Sequence, residues 1–342
     1  MPFLPRLILP LALAATLVAG PSLAQTLLVA NKSEASVTLF ELPQAEVVAT
    51  LATGAGPHEV GVSPDGRRAI VTDYGTGAGP GDTLTIIDIP ERKVLGTLPL
   101  PAGSMPHGVE WLDNSRAVVT AEGIASVLVV NVDAMALEST VAVDQDVAHM
   151  LALDASGQRV YTANIGSGTA TAVDLEQGKK LTDLASGAGS EGIALARGGA
   201  ELWVTNRAAD TVSVFATDKL TLLATLPLPG FPIRAEADEA RGLVYVTVPA
   251  VDALVALDVA SRKEVWRIDF DIPPDLTRKT LFGDRLPGSS IPIGVQLSGD
   301  GERLFVAHTN SHVVSVWDAA TQERVGLVKT GLEPDGMGWS PL

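Results

Sequence analysis

The sequence predicts an all-β chain folded as a seven-bladed β-propeller, and three observations carry that expectation. A short β-rich phrase recurs seven times at near-constant spacing. Each copy lies in a unit of about 42 residues that reads as four consecutive strands, the period of a propeller blade. The two ends of the chain supply complementary parts of one such unit.

The recurring phrase is a quartet ending in Val-(Thr/Ala)-Asn or a variant. It ends at Asn31, Asp73, Ala121, Asn164, Asn206, Val248 and His308, with successive spacings of 42, 48, 43, 42, 42 and 60. An open sandwich would not hold so regular a period. Before each quartet stand a first strand and a turn such as Ser63-Pro64-Asp65-Gly66 or Ser298-Gly299-Asp300-Gly301. Asp-Gly suits a tight hairpin. Alternating third strands follow at Ser36 to Leu42, Thr83 to Ile89, Ser126 to Val132, Thr211 to Thr217 and Val313 to Ala319. A fourth strand closes the unit, for example Val94 to Leu100 or Leu222 to Leu228.

Residues 1–24 are expected to be a secretory signal peptide rather than part of the fold. Arg6 precedes the apolar run Leu7 to Ala19, which Pro10 interrupts and which is too short to span a bilayer, and Ser22-Leu23-Ala24 fits a small-x-small cleavage site. Cleavage near Ala24 leaves residues 25–342 as one propeller domain in the periplasm or outside the cell. That chain opens at Leu27 in a second strand and ends at Glu333 to Leu342 in a first strand. The C-terminal first strand is therefore expected to join the three N-terminal strands, closing the ring and removing exposed sheet edges.

The quartets at 27–31, 160–164 and 202–206, with turns such as Ser63-Pro64-Asp65-Gly66, resemble the YVTN-repeat family of exported bacterial seven-bladed β-propellers. The resemblance covers nearly all of the mature chain and implies architecture. Related seven-bladed propellers include lactonases, metal-dependent lyases and proteins with no known reaction, so it selects no activity. The quartet Asn is replaced at Asp73, Ala121, Val248 and His308, which argues against the quartet itself as a site.

Composition removes other classes. The chain of 342 residues has no cysteine, so disulfides, Cys-ligated metal centres, c-type haem attachment and thiol nucleophiles are excluded. Lys and Arg number 24 against 40 Asp and Glu, a formal charge of −16 with no local basic stripe, so nucleic acid is not an expected partner. Apolar residues make up 46% but aromatics only 4%, so the core must be built from Val, Leu, Ile and Ala. No segment after the leader is long and apolar enough for membrane insertion, and a monomer is expected.

Topology locates a face for chemistry. In a four-stranded meander the links from fourth to first strand and from second to third emerge on one side of the disc. Aligned on Pro57, Pro106, Ala148, Ser190, Pro232, Pro292 and Pro334, the first strands place His58, His107, His149, Glu191, Ile233, Ile293 and Asp335 in one column at the channel mouth. In ring order Asp335, His58, His107, His149 and Glu191 form an unbroken polar arc. Three of the chain's five histidines fall in this column.

Neutral imidazoles flanked by carboxylates suit a divalent metal such as zinc, with His58, His107 and His149 as ligands. Without metal, His58, His107, His149 and Glu191 could act as general acids and bases. The bland alternative is that a wet propeller mouth simply needs polar side chains. Arg234, Asp335, Tyr74, Asn206 and Arg207 are candidates to hold a substrate around this arc. Both insertions, Gly75 to Gly81 and Ile272 to Ile291, fall on the same face, and the second brings Arg278, Lys279 and Arg285 with Leu281, Phe282 and Leu286. Such a loop is either functional or a mobile surface segment. As a lid, its Arg278 and Arg285 would favour an acidic small molecule.

Other motifs fail. The stretch Gly75 to Gly81 lacks P-loop and dinucleotide spacing, and Ser190 misses the nucleophile elbow. His308 and His312 are separated by a loop, so a helical zinc-protease pair does not apply, and His308 reads as a substituted turn Asn. Two functions remain open: an exported propeller that binds a small ligand or periplasmic protein at its mouth, and a metal- or His-dependent, lactonase-like hydrolase or lyase acting on a small acidic substrate.

Overall fold

Seven copies of one antiparallel meander make up the computed structural model, which describes residues 25–277, 280 and 284–342. The proposed leader, residues 1–24, lies outside the described residues. Six blades are continuous in sequence: blade 1 spans 57–99, blade 2 106–142, blade 3 148–185, blade 4 190–227, blade 5 235–269 and blade 6 292–329. Blade 7 is the expected clasp. Its first strand, Pro334–Ser340, pairs antiparallel with Gln25–Asn31, followed by Ser36–Leu42 and Glu46–Ala52. The register sets Leu27 opposite Trp339 and Val29 opposite Met337.

Burial falls from the axis outward. Second and third strands are buried on both faces because each sheet is sandwiched between two others, as in Arg303–His308 and Val313–Asp318. Fourth strands such as Thr221–Pro227 alternate with solvent and leave Val47, Leu222, Val265 and Val325 more than half exposed. Between blades 1 and 2, Ile70, Leu84, Ile86 and Leu98 pack on Trp111, Val119 and Leu128. Aliphatic side chains fill most of this space, which is how a chain poor in aromatics builds seven sheet-to-sheet interfaces.

The quartet has a structural job at both of its polar positions. Its threonine lies opposite an irregularity in the first strand, where the register slips between the opening residue and the fourth. Such a bulge re-aims the two residues between. Thr205 Oγ1 accepts from Gly192 N at 2.8 Å and donates to the Ile233 carbonyl of the next blade at 2.7 Å. Thr247 repeats this with Arg234 N and Ile293 O, and Thr120 with Gly108 N and His149 O. The hydroxyl thus fixes the backbone of the next blade's mouth residue.

The quartet asparagine staples the blade's third strand. Asn31 Nδ2 donates to Ser36 Oγ and Thr38 Oγ1, Asn164 to Thr169 and Thr171, and Asn206 to Thr211 and Ser213, all at 2.9–3.1 Å. Replacements do the same work. Asp73 accepts from Thr83, Thr85 and Gly54 N, and His308 bonds Ser290 Oγ and Ser315 Oγ, each at 2.7 Å. His308 is therefore the substituted Asn its position suggests.

Glycine recurs one place after the mouth column, at 108, 192, 294 and 336. A Cβ on Gly192, Gly294 or Gly336 would lie 2.1–2.3 Å from a carbonyl oxygen of the neighbouring first strand. The inner strands approach one another too closely for a side chain there.

The two insertions differ. The glycine-rich stretch 75–81 is a hairpin that extends Arg68–Thr76 and Gly79–Asp88 beyond the sheet, with Gly75 opposite Pro80 and Thr76 opposite Gly79. The longer insertion returns through Leu286 and Ile291, which pack on Ile233 and Ile293 at the mouth. Arg278, Lys279, Leu281 and Phe282 lie outside the described residues.

Candidate functional site

Three repeat positions converge at the channel mouth. The first is the expected column, where the first-strand bulge aims His58, His107, His149, Glu191 and Asp335 at one another. The second is the residue after the quartet: Lys32, Tyr74, Glu122, Ile165 and Arg207 all line the same cavity of about 390 Å³. The third follows the column and contributes Glu59 and Arg234. Sequence reasoning took Tyr74 and Arg207 from the second set but missed Lys32 and Glu122, although the same alignment aligns them. Lys32 and Glu122 open short 3₁₀ turns that end in left-handed residues, Ala35 and Ala125.

The aromatic rings form a stepped stack. Tyr74 and His58 lie 4.4 Å apart between centroids, His58 and His107 5.0 Å, and His107 and His149 3.7 Å. His58 Nδ1 meets the Gly56 carbonyl at 2.8 Å. Burial pushes the His58 imidazole down to about 3, with Lys32 adding to the effect, so it is neutral at ordinary pH. His107 is 1% exposed and its Nδ1 has no hydrogen-bond partner; burial and then the neighbouring His149 hold it well below the usual range.

His149 has the opposite bias. Burial opposes its charge, but Glu122, in direct contact with Nδ1, and Glu191, 3.5 Å from Nε2, outweigh that and raise its pKa. Glu122 is held from its other oxygen by the Tyr74 hydroxyl, which donates to Oε2 at 2.6 Å. Burial, followed by Glu122, pushes the Tyr74 hydroxyl pKa up.

Ion pairs surround this core. Arg234 Nη2 lies 2.6 Å from Glu59 Oε1 and 3.8 Å from Asp335 Oδ1, while Nη1 is 3.4 Å from both Glu191 Oε1 and His149 Nε2. Arg207 Nη1 reaches Glu191 Oε2 at 2.5 Å, and Lys32 Nζ reaches Asp335 Oδ2 at 2.5 Å. Burial would raise Asp335, yet Lys32, His58 and Arg234 bring it down to about 2. Burial raises Glu59 despite Arg234, and Glu191 is lowered because His149, Arg207 and Arg234 overcome its burial.

Other expected site residues are placed differently. Asn206 is fully buried within blade 4 and its amide is occupied by Ser186, Ser190, Thr211 and Ser213 rather than turned to the cavity. Its staple role takes it out of the mouth. Arg285 is exposed and lines the rim. Arg278 falls outside the described residues. Among the described residues, the group whose ligand-type atoms lie within 4.8 Å of one another is His107, Glu122 and His149; His58, expected as a ligand, is not in it. Among the described residues no helix is long and apolar enough to cross a membrane.

Comparison with known proteins adds the fold and little else. No protein-family model matches the chain, and no curated protein matches it. Among solved structures, a functionally unknown protein from Desulfotomaculum acetoxidans DSM 771 is similar with a TM-score of 0.75 and 16% identity, covering 92% of this chain and 98% of that one. The dihydro-haem d1 dehydrogenase NirN in complex with DHE is similar with a TM-score of 0.62 and 14% identity over 92% of this chain and 74% of that one. At such identities the likeness is one of fold: these are seven four-stranded blades with a His/carboxylate cluster at one end of the channel.

Proposed function

We propose that the chain is an exported, periplasmic propeller of the YVTN-repeat kind whose channel mouth binds a small acidic molecule. The observation that carries this reading is the convergence of three histidines, three carboxylates and four cations on one cavity in which a buried His107 nitrogen lacks any hydrogen-bond partner. Buried polar atoms are ordinarily satisfied, and those left open in a concave site are available to a ligand. The cavity lies toward the small end of ligand sites, which run from about 300 to 1,000 Å³. Arg207 and Arg285 stand at its rim, where a ligand carboxylate would meet them without breaking the buried Arg234 pairs.

Thermal-shift screening with organic acids, lactones, sugar acids and a haem-type tetrapyrrole tests the reading. The tetrapyrrole belongs there because NirN is described in complex with DHE. A ligand at one hundred times its Kd stabilises by about 2.7 kcal/mol. That shift should vanish in Arg207→Ala and His107→Ala. A screen without hits, or hits that both variants retain, would sink the reading.

A second reading, a hydrolase or lyase, draws on the His149–Glu122 pair. A carboxylate that orients a histidine is the arrangement of a general base beside a substrate. Turnover of a lactone or sugar acid lost in Glu122→Gln would favour it over binding alone.

A further inference from the structure

We propose that His107, His149 and Glu122 form a binding site for one divalent transition-metal ion of the zinc or cobalt class. The inference deepens the ligand-site reading above and rests on the same cavity.

The ion pairs at the mouth leave one carboxylate without a Lys or Arg partner. Glu59, Glu122, Glu191 and Asp335 face Lys32, Arg207 and Arg234. Arg234 spans Glu59 and Glu191, Arg207 holds Glu191, and Lys32 holds Asp335. Glu122 is the carboxylate with no Lys or Arg partner among the described residues, and it is nearly buried. Its only charged neighbour within ion-pair distance is the His149 ring. A nearly buried carboxylate held only by a histidine and a hydroxyl is one whose charge a metal ion can meet in place of the ring proton.

The donor set suits such an ion. Two imidazole nitrogens and one carboxylate oxygen match the three protein ligands of an open zinc centre, leaving a fourth position toward the cavity. A tetrahedral centre sets its donor atoms about 3.3 Å apart, given bonds near 2.0–2.1 Å. The three atoms here already lie within 4.8 Å of one another, so the His107 ring needs only a small approach and the His149–Glu122 contact a small opening. The ion would take the place now filled by the hydrogen between His149 Nδ1 and Glu122.

The surrounding groups are arranged as supports for ligands. Tyr74 fixes Glu122 through Oε2 and leaves Oε1 for the metal. Glu191 faces His149 Nε2, so that His149 would be a carboxylate–histidine–metal relay. His107 is buried with no hydrogen bond at Nδ1, which faces Glu59 Oε1 at 4.0 Å, and its ring contributes one nitrogen to the group. His58 stays outside because the Gly56 carbonyl occupies its Nδ1.

The test uses the full mature chain without a histidine tag, stripped with chelator and titrated with Co²⁺ by calorimetry and visible absorption. One ion per chain with low-coordinate Co²⁺ bands is expected. His107→Ala, His149→Ala and Glu122→Gln should each weaken binding by more than about 100-fold, and Tyr74→Phe by about 10- to 100-fold. His308→Asn should bind as the parent does, since that histidine is committed to Ser290 and Ser315. Circular dichroism screens each variant for folding, and His107→Gln replaces the alanine variant if that fails to fold. Absence of stoichiometric Co²⁺ binding, equal binding by folded Glu122→Gln, or loss in His308→Asn would overturn the proposal. Thermal-shift hits that persist in chelator-stripped protein would leave the small-molecule reading standing while the metal site falls.

Discussion

Arg234 of blade 5 reaches across the channel to Glu59 of blade 1, its Nη2 2.6 Å from Oε1. The two blades are three steps apart around a ring of seven, as far as any two can be. Both residues occupy the repeat position that is glycine in four other blades. Where glycine lets adjacent inner strands touch, this pair instead bridges opposite walls beneath the histidines. The Arg234 guanidinium also helps keep Glu191 and Asp335 ionised, after His149 and Arg207 at the first and after Lys32 and His58 at the second.

Arg234→Met should therefore be strongly destabilising. It leaves the buried Glu59 with no Lys or Arg partner among the described residues, while Glu191 keeps Arg207, and breaking one side of such a pair costs about 3–5 kcal/mol. Adding Glu59→Gln should recover part of the loss because one stranded charge is removed with its partner. Chemical denaturation at neutral pH checks both; a single variant within about 1 kcal/mol of the parent would show that water reaches Glu59.

The glycine column predicts where the ring is tightest. In Gly294→Ala the new Cβ would lie 2.1 Å from the Asp335 carbonyl, so blades 6 and 7 must part. Overpacking of this kind costs about 1–3 kcal/mol. Gly77→Ala, at the hairpin tip with nothing within 4 Å, should leave the melting temperature unchanged. Equal melting of the two variants would mean that the ring can breathe at its axis.

The propeller was legible because every blade carries a Thr, Asn, Asp or His at one of two adjacent positions of the repeated quartet, and a buried polar residue at a fixed period leaves a trace even where Ala121 or Val248 takes the place of the asparagine. His58, His107 and His149 were legible for a related reason: a bulge at one repeat position points a single column inward. Glu122 and Lys32 were missed although they follow the quartet as Tyr74 and Arg207 do. Single acidic or basic residues in a turn resemble solvated surface, and only the blade packing shows that this turn folds over the mouth. Glu59 was hidden by proximity, since it adjoins His58 and only the bulge turns both side chains inward. Asn206 was placed at the mouth because its strand ends there, but its amide bonds inside the sheet.

His308 offers a clean titration. Burial, with Arg324 adding to it, lowers its pKa from 6.5 to about 3. In the unfolded chain the ring takes a proton below pH 6.5, whereas in the fold it stays neutral. Its contribution to stability is thus complete above pH 6.5 and is lost as pH falls toward 3, at up to about 1.4 kcal/mol per pH unit. His308→Asn supplies the quartet's usual residue and removes this dependence. Parent and variant stabilities, measured from pH 8 to 4, should differ by a constant above 6.5 and diverge in the variant's favour below it. Parallel curves throughout would show that the ring is solvated.

Two further carboxyls, Glu110 and Glu236, should respond to pH in the opposite direction. Glu110 accepts from Leu153 N and Glu236 from Leu297 N, yet burial lifts them to about 8 and about 7, with Glu236 adding to the effect on Glu110 and Asp238 to that on Glu236. Each group keeps its proton in the fold while the unfolded chain loses it from about pH 4.5 upward. Their contribution is therefore complete below pH 4.5 and is lost as pH rises toward 7 and 8. Both side chains retain partial exposure to the channel, so the slope should fall below the limit of about 1.4 kcal/mol per unit per group. Glu110→Gln and Glu236→Gln keep an acceptor for the same backbone amides and abolish the titration. The double variant should match the parent near pH 4 and exceed it in stability by a growing margin up to pH 8. A margin that stays flat across this range would mean that both carboxyls ionise freely in water.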